Sequence, residues 1–340
     1  MGVDISLLIQ KKEIELESLK GKKIAVDALN AIYQFLSIIR QPDGTPLMDS
    51  HGNITSHLSG LFYRNSRLLE MGILPCYVFD GEPPKLKAQT VAERKELRKA
   101  AETKWREAQE KGDLIAAKKY AQAASRVTEP MLEESKKLLT AMGIPVIQAP
   151  SEGEAQAAFM CEREDVYAAG SQDFDSLLFG APRVVRNMNV TGKRKVPRKN
   201  IFIDVKPELL DLEEILGTLK ISREQLIEIG ILVGTDFNEG VMGIGPKKAL
   251  AHITQKPLKE WVKEGKFKFE VDFEELKKVF LKPEVTKSYK LEWKPFDSEK
   301  IIEILSEKHE FSKDRIESAL QKLEDSKGAK SQKNLQQWFK

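Results

Sequence analysis

Apolar residues in this 340-residue chain come in short runs that stop at an acid. Ile24-Ala25-Val26 runs into Asp27, and Cys76-Tyr77-Val78-Phe79 runs into Asp80. Val166-Tyr167-Ala168-Ala169-Gly170 leads to Ser171-Gln172-Asp173-Phe174-Asp175. Runs this short, with no polar alternation, predict buried strands at 22–27, 75–80, 144–147 and 166–170. Between them the apolar positions recur at helical spacing. They predict helices over 28–39, 131–142 and 151–163, the second closed by Gly143. Strands alternating with helices predict an α/β fold with a central, mostly parallel sheet flanked by helices. Ligands of such sheets bind beyond the carboxyl ends of the strands. Asp27, Asp80 and Asp173 all fall there.

Residues 85–126 break the pattern. Helix formers dominate, but the apolar residues are few: Leu86, Val91, Leu97, Trp105, Leu114 and Ile115. So thin an apolar stripe predicts a helical insertion standing off the core, or an ordinary solvated helix pair. The polar stretch after Asp325 reads as a flexible tail. The expected organisation is one domain over 1–325, with an insertion at 81–130 and a tail at 326–340.

Composition narrows the classes. The two cysteines, Cys76 and Cys161, lie in apolar stretches, which excludes a disulfide framework and a Cys-ligated zinc site. No apolar run approaches membrane-span length and no signal-peptide core opens the chain, so a cytoplasmic protein is expected. The formal net charge is only +3. Yet 85–126 carries +6, 183–199 carries +7 and 327–340 carries +4, which leaves the remainder at −14. A division of this kind suits the steering of a polyanion.

The acids of that remainder include Asp27, Asp80, Glu152, Glu154, Asp173, Asp175 and Asp236. Carboxylates gathered at one sheet edge repel one another unless cations neutralise them. Hard oxygen ligands suit Mg²⁺ or Mn²⁺. Simpler readings stand beside this one. Ser151 with Glu154 is a capping-box pattern, and Glu152 and Glu154, two apart, do not share a helix face. Asp173-Phe174-Asp175 also suits a turn. Asp236 also reads as a loop acid after the apolar stretch Leu226–Val233. In Gly243-Ile244-Gly245-Pro246-Lys247-Lys248, a proline opens a helix whose free N–H groups and two lysines suit a phosphate. A plain connector fits the same residues. Gln332, Leu335, Trp338 and Phe339 stand at positions 1, 4, 7 and 8 of a polar octapeptide. They predict anchoring in a partner's groove, or docking back onto the chain itself.

In their order along the chain, five segments resemble the structure-specific flap endonucleases of the 5′-nuclease superfamily, archaeal type. They are Val26-Asp27-Ala28, residues 77–85 around Asp80, residues 149–155, residues 170–175 and Gly234-Thr235-Asp236-Phe237. The resemblance covers nearly the whole chain. It implies a PIN-like 5′-nuclease fold. It also implies two-metal-ion cleavage of 5′ flaps at the junction of single strand and duplex, with 5′–3′ exonuclease activity, in Okazaki fragment maturation and DNA repair. Asp80, Glu152 and Glu154 would lie mainly around one Mg²⁺. Asp173, Asp175 and Asp236 would lie mainly around the other, with Asp27 supporting through water and Mn²⁺ as a substitute ion.

The resemblance also assigns the cations. Lys87 and Arg94 would meet the scissile phosphate, Tyr33 would stack on a base near the cut, and Gly2 would lie close to the active site. Residues 81–130 would form a helical arch for the flap. Residues 222–260 would form a helix–two-turn–helix element. There Gly243, Gly245, Lys247 and Lys248 grip duplex backbone with a K⁺ ion. Residues 332–339 resemble a PCNA-interacting peptide that tethers the enzyme to the sliding clamp. A monomer associated with the nucleoid is implied. One rival is a related 5′-nuclease acting on other junctions or gaps. Another is an Asp-x-Asp phosphatase, but Leu29 stands where its second acid belongs. A non-enzymatic DNA scaffold would explain the basic blocks and not the seven acids.

Overall fold

The strand predicted at 22–27 forms at Lys23–Asp27 and lies in the middle of a mostly parallel sheet. The computed structural model describes residues 2–41, 43–189, 192–195 and 202–338, without the side chains of 89, 91, 192–195, 202–204 and 327–338. In chain order the strands are β1 (Lys12–Glu13), β2 (Lys23–Asp27), β3 (Leu74–Phe79), β4 (Val146–Gln148), β5 (Ala168–Gly170), β6 (Arg183–Arg186), β7 (Gly192–Lys195), β8 (Phe202–Val205) and β9 (Glu208–Asp211). Among the described residues the main sheet runs β1-β9-β6-β5-β2-β3-β4, and β7 pairs with β8 alone. The pairs β4–β3, β3–β2, β2–β5 and β5–β6 are parallel, while β9 runs antiparallel to β6 and β1.

The chain builds outward from β2 to β3 and β4, then returns to place β5 on the other side of β2. The strand order therefore reverses between β2 and β5, the position where open α/β sheets form a ligand crevice. The acids at the carboxyl ends of β2, β3 and β5 all open onto it.

The helices are α1 (Ala28–Ile38), α2 (Ser56–Glu70), α3 (Ala88–Glu110), α4 (Leu114–Ala123), α5 (Glu129–Ala141), α6 (Gly153–Glu162) and α7 (Asp175–Leu178). There follow α8 (Leu212–Leu219), α9 (Arg223–Val233), α10 (Pro246–Gln255), α11 (Leu258–Lys263), α12 (Phe273–Leu281), α13 (Ser298–Ile302) and α14 (Lys313–Trp338). Side chains alternate across the strands, so each face of the sheet has its own core. Ala25, Cys76, Val78 and Ala169 pack with α6, α7 and α9. Ile24, Val26, Tyr77 and Phe79 pack with α1, α2 and α5, and with Ile316, Leu320 and Leu323 of α14. Burying both faces explains why these strands read as continuous apolar runs.

The low-apolar insertion is a helical hairpin of α3 and α4. The two helices pack against each other, and their buried residues include the small Ala101 and Ala108 of α3 and Ala117 and Ala121 of α4. Asp113 caps α4 by accepting from the Ala116 amide at 2.9 Å. Small side chains let the helices approach with little apolar area, which is why the pattern looked unburied.

Residue 326, where the tail is expected to begin, lies within α14, which continues to Trp338. Lys, Gln, Ala and Ser are tolerated in helix, and Gly328 alone does not stop it. The side chains of Gln332, Leu335 and Trp338, and all of Phe339, lie outside the described residues. No helix among the described residues is long and apolar enough to cross a membrane.

Candidate metal and DNA site

Each acid owes its place to a strand or helix end. Asp27 closes β2 and caps α1, accepting from the Asn30 amide at 3.0 Å. Asp80 follows β3, and its Oδ1 accepts from the Gly153 amide at 2.6 Å, so a strand-end acid caps α6. A Cβ at residue 153 would fall 2.6 Å from that oxygen, so any larger residue there would displace the Asp80 carboxylate. The capping-box expectation for Ser151 and Glu154 is corrected by these contacts. Glu152 is the N-cap and makes no side-chain cap. Ser151 donates instead to the Glu82 carbonyl. Glu154 turns into the crevice, where Ser171 Oγ donates to it at 2.6 Å and Ser176 Oγ at 3.3 Å.

Asp173 follows β5 and accepts from Asn30 Nδ2 at 3.0 Å. Asp175 opens α7 and accepts from the Val3 amide at 2.8 Å, which ties the N-terminal segment into the site. A Cβ on Gly2 would lie 2.8 Å from the Asp175 carboxyl carbon. Asp236 sits in the loop after α9, beyond Gly234, whose φ of 107° lets the chain turn away.

Two cations of the hairpin reach into this set. Lys87 Nζ lies 2.5 Å from Glu152 Oε2 and 3.5 Å from Asp236 Oδ2. Arg94 pairs with the other oxygen of Asp236. Both come from the start of the hairpin; Lys87 is mostly covered and Arg94 is partly buried. Among the described residues no three carboxylate, imidazole or thiolate groups converge on one metal-sized point. The Lys87 ammonium lies among the carboxylates instead.

The electrostatics show how much negative charge remains unmet. Burial raises Asp27 well above the usual carboxylate range, and Asp80 and Asp173 add repulsion. Glu154 is raised well above its usual value by burial and by Asp175, Asp27 and Asp173. Asp175 is pushed up to about 7 by burial and by Asp236. Asp80 and Glu152 are also raised, mainly by burial, although Lys87 opposes it at both. Asp236 differs: burial works against its charge, but Lys87 and Arg94 outweigh it and hold the carboxyl low. An all-oxygen, partly desolvated set with this excess of negative charge fits hard divalent cations.

The XPG N-terminal domain matches residues 1–101, and the XPG I-region matches residues 143–236. Over its full length the chain is 56% identical to flap endonuclease 1 of Pyrococcus furiosus, all of which is covered. It is 54% identical, again over the full length of both, to flap endonuclease 1 of Archaeoglobus fulgidus.

The chain belongs to the flap endonuclease family.

Solved structures agree. Flap endonuclease-1 from Methanococcus jannaschii superposes with a TM-score of 0.77 at 44% identity, over 97% of this chain and 100% of that one. The catalytic core of Rad2 in complex with DNA substrate gives 0.67 at 28% identity, over 92% and 96%. This flap endonuclease therefore has the 5′-nuclease fold expected from its sequence.

Of the residues singled out in the sequence, the seven acids, Lys87, Arg94 and Gly2 meet in one crevice. Tyr33 lies on α1, six residues beyond Asp27. Gly243, Gly245, Lys247 and Lys248 lie apart, at the exposed turn that opens α10. Pro246 is the first residue of that helix, as expected, and Lys248 Nζ donates to the Gly243 carbonyl at 2.9 Å. Sequence reasoning missed Asn30, Ser171 and Ser176, which orient Asp173 and Glu154. Their signal was present but weak: short polar residues within three positions of the acids, Ser171 in the loop after β5 and Asn30 and Ser176 in the first turns of α1 and α7. It also missed Arg98, whose guanidinium lies over the Tyr33 ring, Cζ to centroid 5.3 Å.

Proposed function

We propose that this structure-specific flap endonuclease, a metal-dependent phosphodiester hydrolase, cuts a 5′ flap in the crevice between β2 and β5 with two divalent cations. Asp80, Glu152 and Glu154 would hold one cation. Asp173, Asp175 and Asp236 would hold the other, with Asp27 behind them and Mn²⁺ able to replace Mg²⁺. Bound cations supply Lewis acidity at the reacting phosphate.

Seven carboxylates repel a phosphodiester. Two divalent cations, Lys87 and Arg94 bring the formal charge of the set close to neutral, so the loaded site accepts the anion. The single observation that carries this reading is the pairing of Lys87 with Glu152 and of Arg94 with Asp236. Both cations already lie where a phosphate would meet the acids. Once cations neutralise the carboxylates, the ammonium and guanidinium are free to offset charge developing on the phosphate oxygens.

Around this centre, α3 and α4 form the arch that admits single strand, and Tyr33 offers a ring to a base beside the cut. The turn at Gly243 and Gly245, with Lys247 and Lys248 and the amino end of α10, grips duplex phosphates without reading bases. K⁺ is the candidate ion at that turn. The segment 332–339 binds PCNA, and the enzyme acts as a monomer on the archaeal nucleoid. Identity above half over the whole chain supports carrying these family features over.

The test is cleavage mapping on a double-flap duplex, with and without Mg²⁺, for the wild type and Asp175→Asn. The expected result is one Mg²⁺-dependent cut at the junction, abolished in the variant while DNA binding persists. Cleavage by the variant at the wild-type rate would remove Asp175 from the metal set.

A further inference from the structure

The exposed surface of α3 carries Glu93, Lys95, Glu96, Leu97 and Lys99, while Arg94 and Arg98 between them are partly buried. Arg94 and Arg98 are four residues apart and share a helix face. The hairpin meets the rest of the chain at three successive points, Lys87 just before α3 and Arg94 and Arg98 on it. Lys87 meets Glu152, Arg94 meets Asp236, and Arg98 meets an aromatic ring rather than an acid.

We propose that Arg98 is a positioning residue: its guanidinium stacks on one face of Tyr33 and holds the ring ready to receive an unpaired base on the other. The proposal deepens the reading of Tyr33 as the base-stacking ring and rests on it. A guanidinium is planar and delocalised, so it lies flat on an aromatic face, and 5.3 Å from the centroid is within cation–π range. An aromatic ring has two faces, the cation takes one of them, and Tyr33 is only partly buried. Tyr33 stands on α1, which Asp27 caps, so its backbone is already fixed by the metal site. The ring's own torsions are what Arg98 constrains. Because Arg98 comes from the hairpin, the stack also makes placement of the base depend on placement of the hairpin. Arg98 would then influence the rate through Tyr33, without touching the reacting atoms.

The test compares Arg98→Ala, Arg98→Lys, Tyr33→Leu and the Arg98→Ala/Tyr33→Leu double variant. The substrate is a flap duplex with 2-aminopurine as the junction base, studied under single turnover with Mg²⁺ and by binding in Ca²⁺. Arg98→Ala is expected to slow cleavage about three- to thirtyfold, the range of a cation–π contact between exposed and desolvated limits. Affinity should stay within about twofold, since a positioning role adds no binding contact. The 2-aminopurine signal of base unstacking should fall in parallel. Arg98→Lys keeps the cation and should recover part of both. In the Tyr33→Leu background, Arg98→Ala should have no further effect. Effects that multiply in the double variant would overturn the proposal. So would a loss of affinity with a shallower salt dependence, which would assign Arg98 to a phosphate. Wild-type behaviour of Tyr33→Leu would instead remove base stacking at Tyr33, and the proposal with it.

Discussion

Lys87 and Glu152 join the helical hairpin to the sheet: the ammonium lies 2.5 Å from the carboxylate across 65 residues of chain. Burial disfavours the charge of Lys87, but Glu152, Asp236 and Asp80 outweigh it and keep the amine protonated. A permanent cation so placed acts on charge developing at the phosphate. Lys87→Ala should reduce single-turnover cleavage by about 10²–10³, the scale of one lost electrostatic donor, with a much smaller change in affinity. A defect confined to binding would assign Lys87 to docking.

Metal removal should reveal the repulsion among the acids. A carboxyl raised in the folded state, as at Asp175 with about 7 against an ordinary 3.8, favours the fold fully only below 3.8. That contribution disappears as pH rises through 7. The metal-free protein should therefore lose stability between about pH 4 and 7 through this group. Divalent cations bind the ionised form, so the rise in Tm on adding Mg²⁺ should be larger at pH 8 than at pH 5. Calorimetry with and without EDTA checks this, and equal shifts at both pH values would contradict it.

Gly2 tests the N-terminal tie. Adding a methyl group there crowds the Asp175 carboxyl group. Gly2→Ala should lower turnover at least about tenfold by displacing Asp175 from the proposed metal set, with little change in Tm because the residue lies outside both cores. Cleavage assays and thermal melts on one preparation separate the two effects.

His57 gives a pH signature unrelated to catalysis. It is fully buried, and neither ring nitrogen has a hydrogen-bond partner among the described residues. Burial lowers its pKa to about 4 from 6.5, with His309 adding repulsion. The neutral ring is favoured in the fold, so this contribution is whole above pH 6.5 and is lost as pH falls toward 4. The difference is about 3 kcal/mol. His57→Leu should flatten that part of the stability–pH curve, as read by denaturant unfolding from pH 4 to 7.

Deletion of residues 332–340 should leave cleavage of free DNA unchanged and abolish stimulation by the clamp. Loss of basal cleavage would instead make the segment part of the nuclease fold.

Much of the site was legible before folding. Short apolar runs ending in Asp27, Asp80 and Asp173 reveal strands and their carboxyl ends, because period and burial are local properties. The segments around 152–154, 173–175 and 236 reveal the acid set through residue type. The charge blocks reveal an electrostatically divided surface, although the total of +3 conceals it. The wrong local reading was the capping box: helix-end propensity is weak, and Ser151 found a better partner in the Glu82 carbonyl once β3 and α6 were neighbours.

Only the tertiary structure decided which groups meet. The strand order places β5 beside β2, and this brings Asn30 to Asp173 across 143 residues. It turns Glu154 toward Ser171, seats Gly2 against Asp175, and lays Arg98 over Tyr33. Sequence determined the elements and their chemistry because periodicity and residue type act over a few neighbours. The pairings depend on strand order and on the path of the hairpin, which long-range packing alone sets.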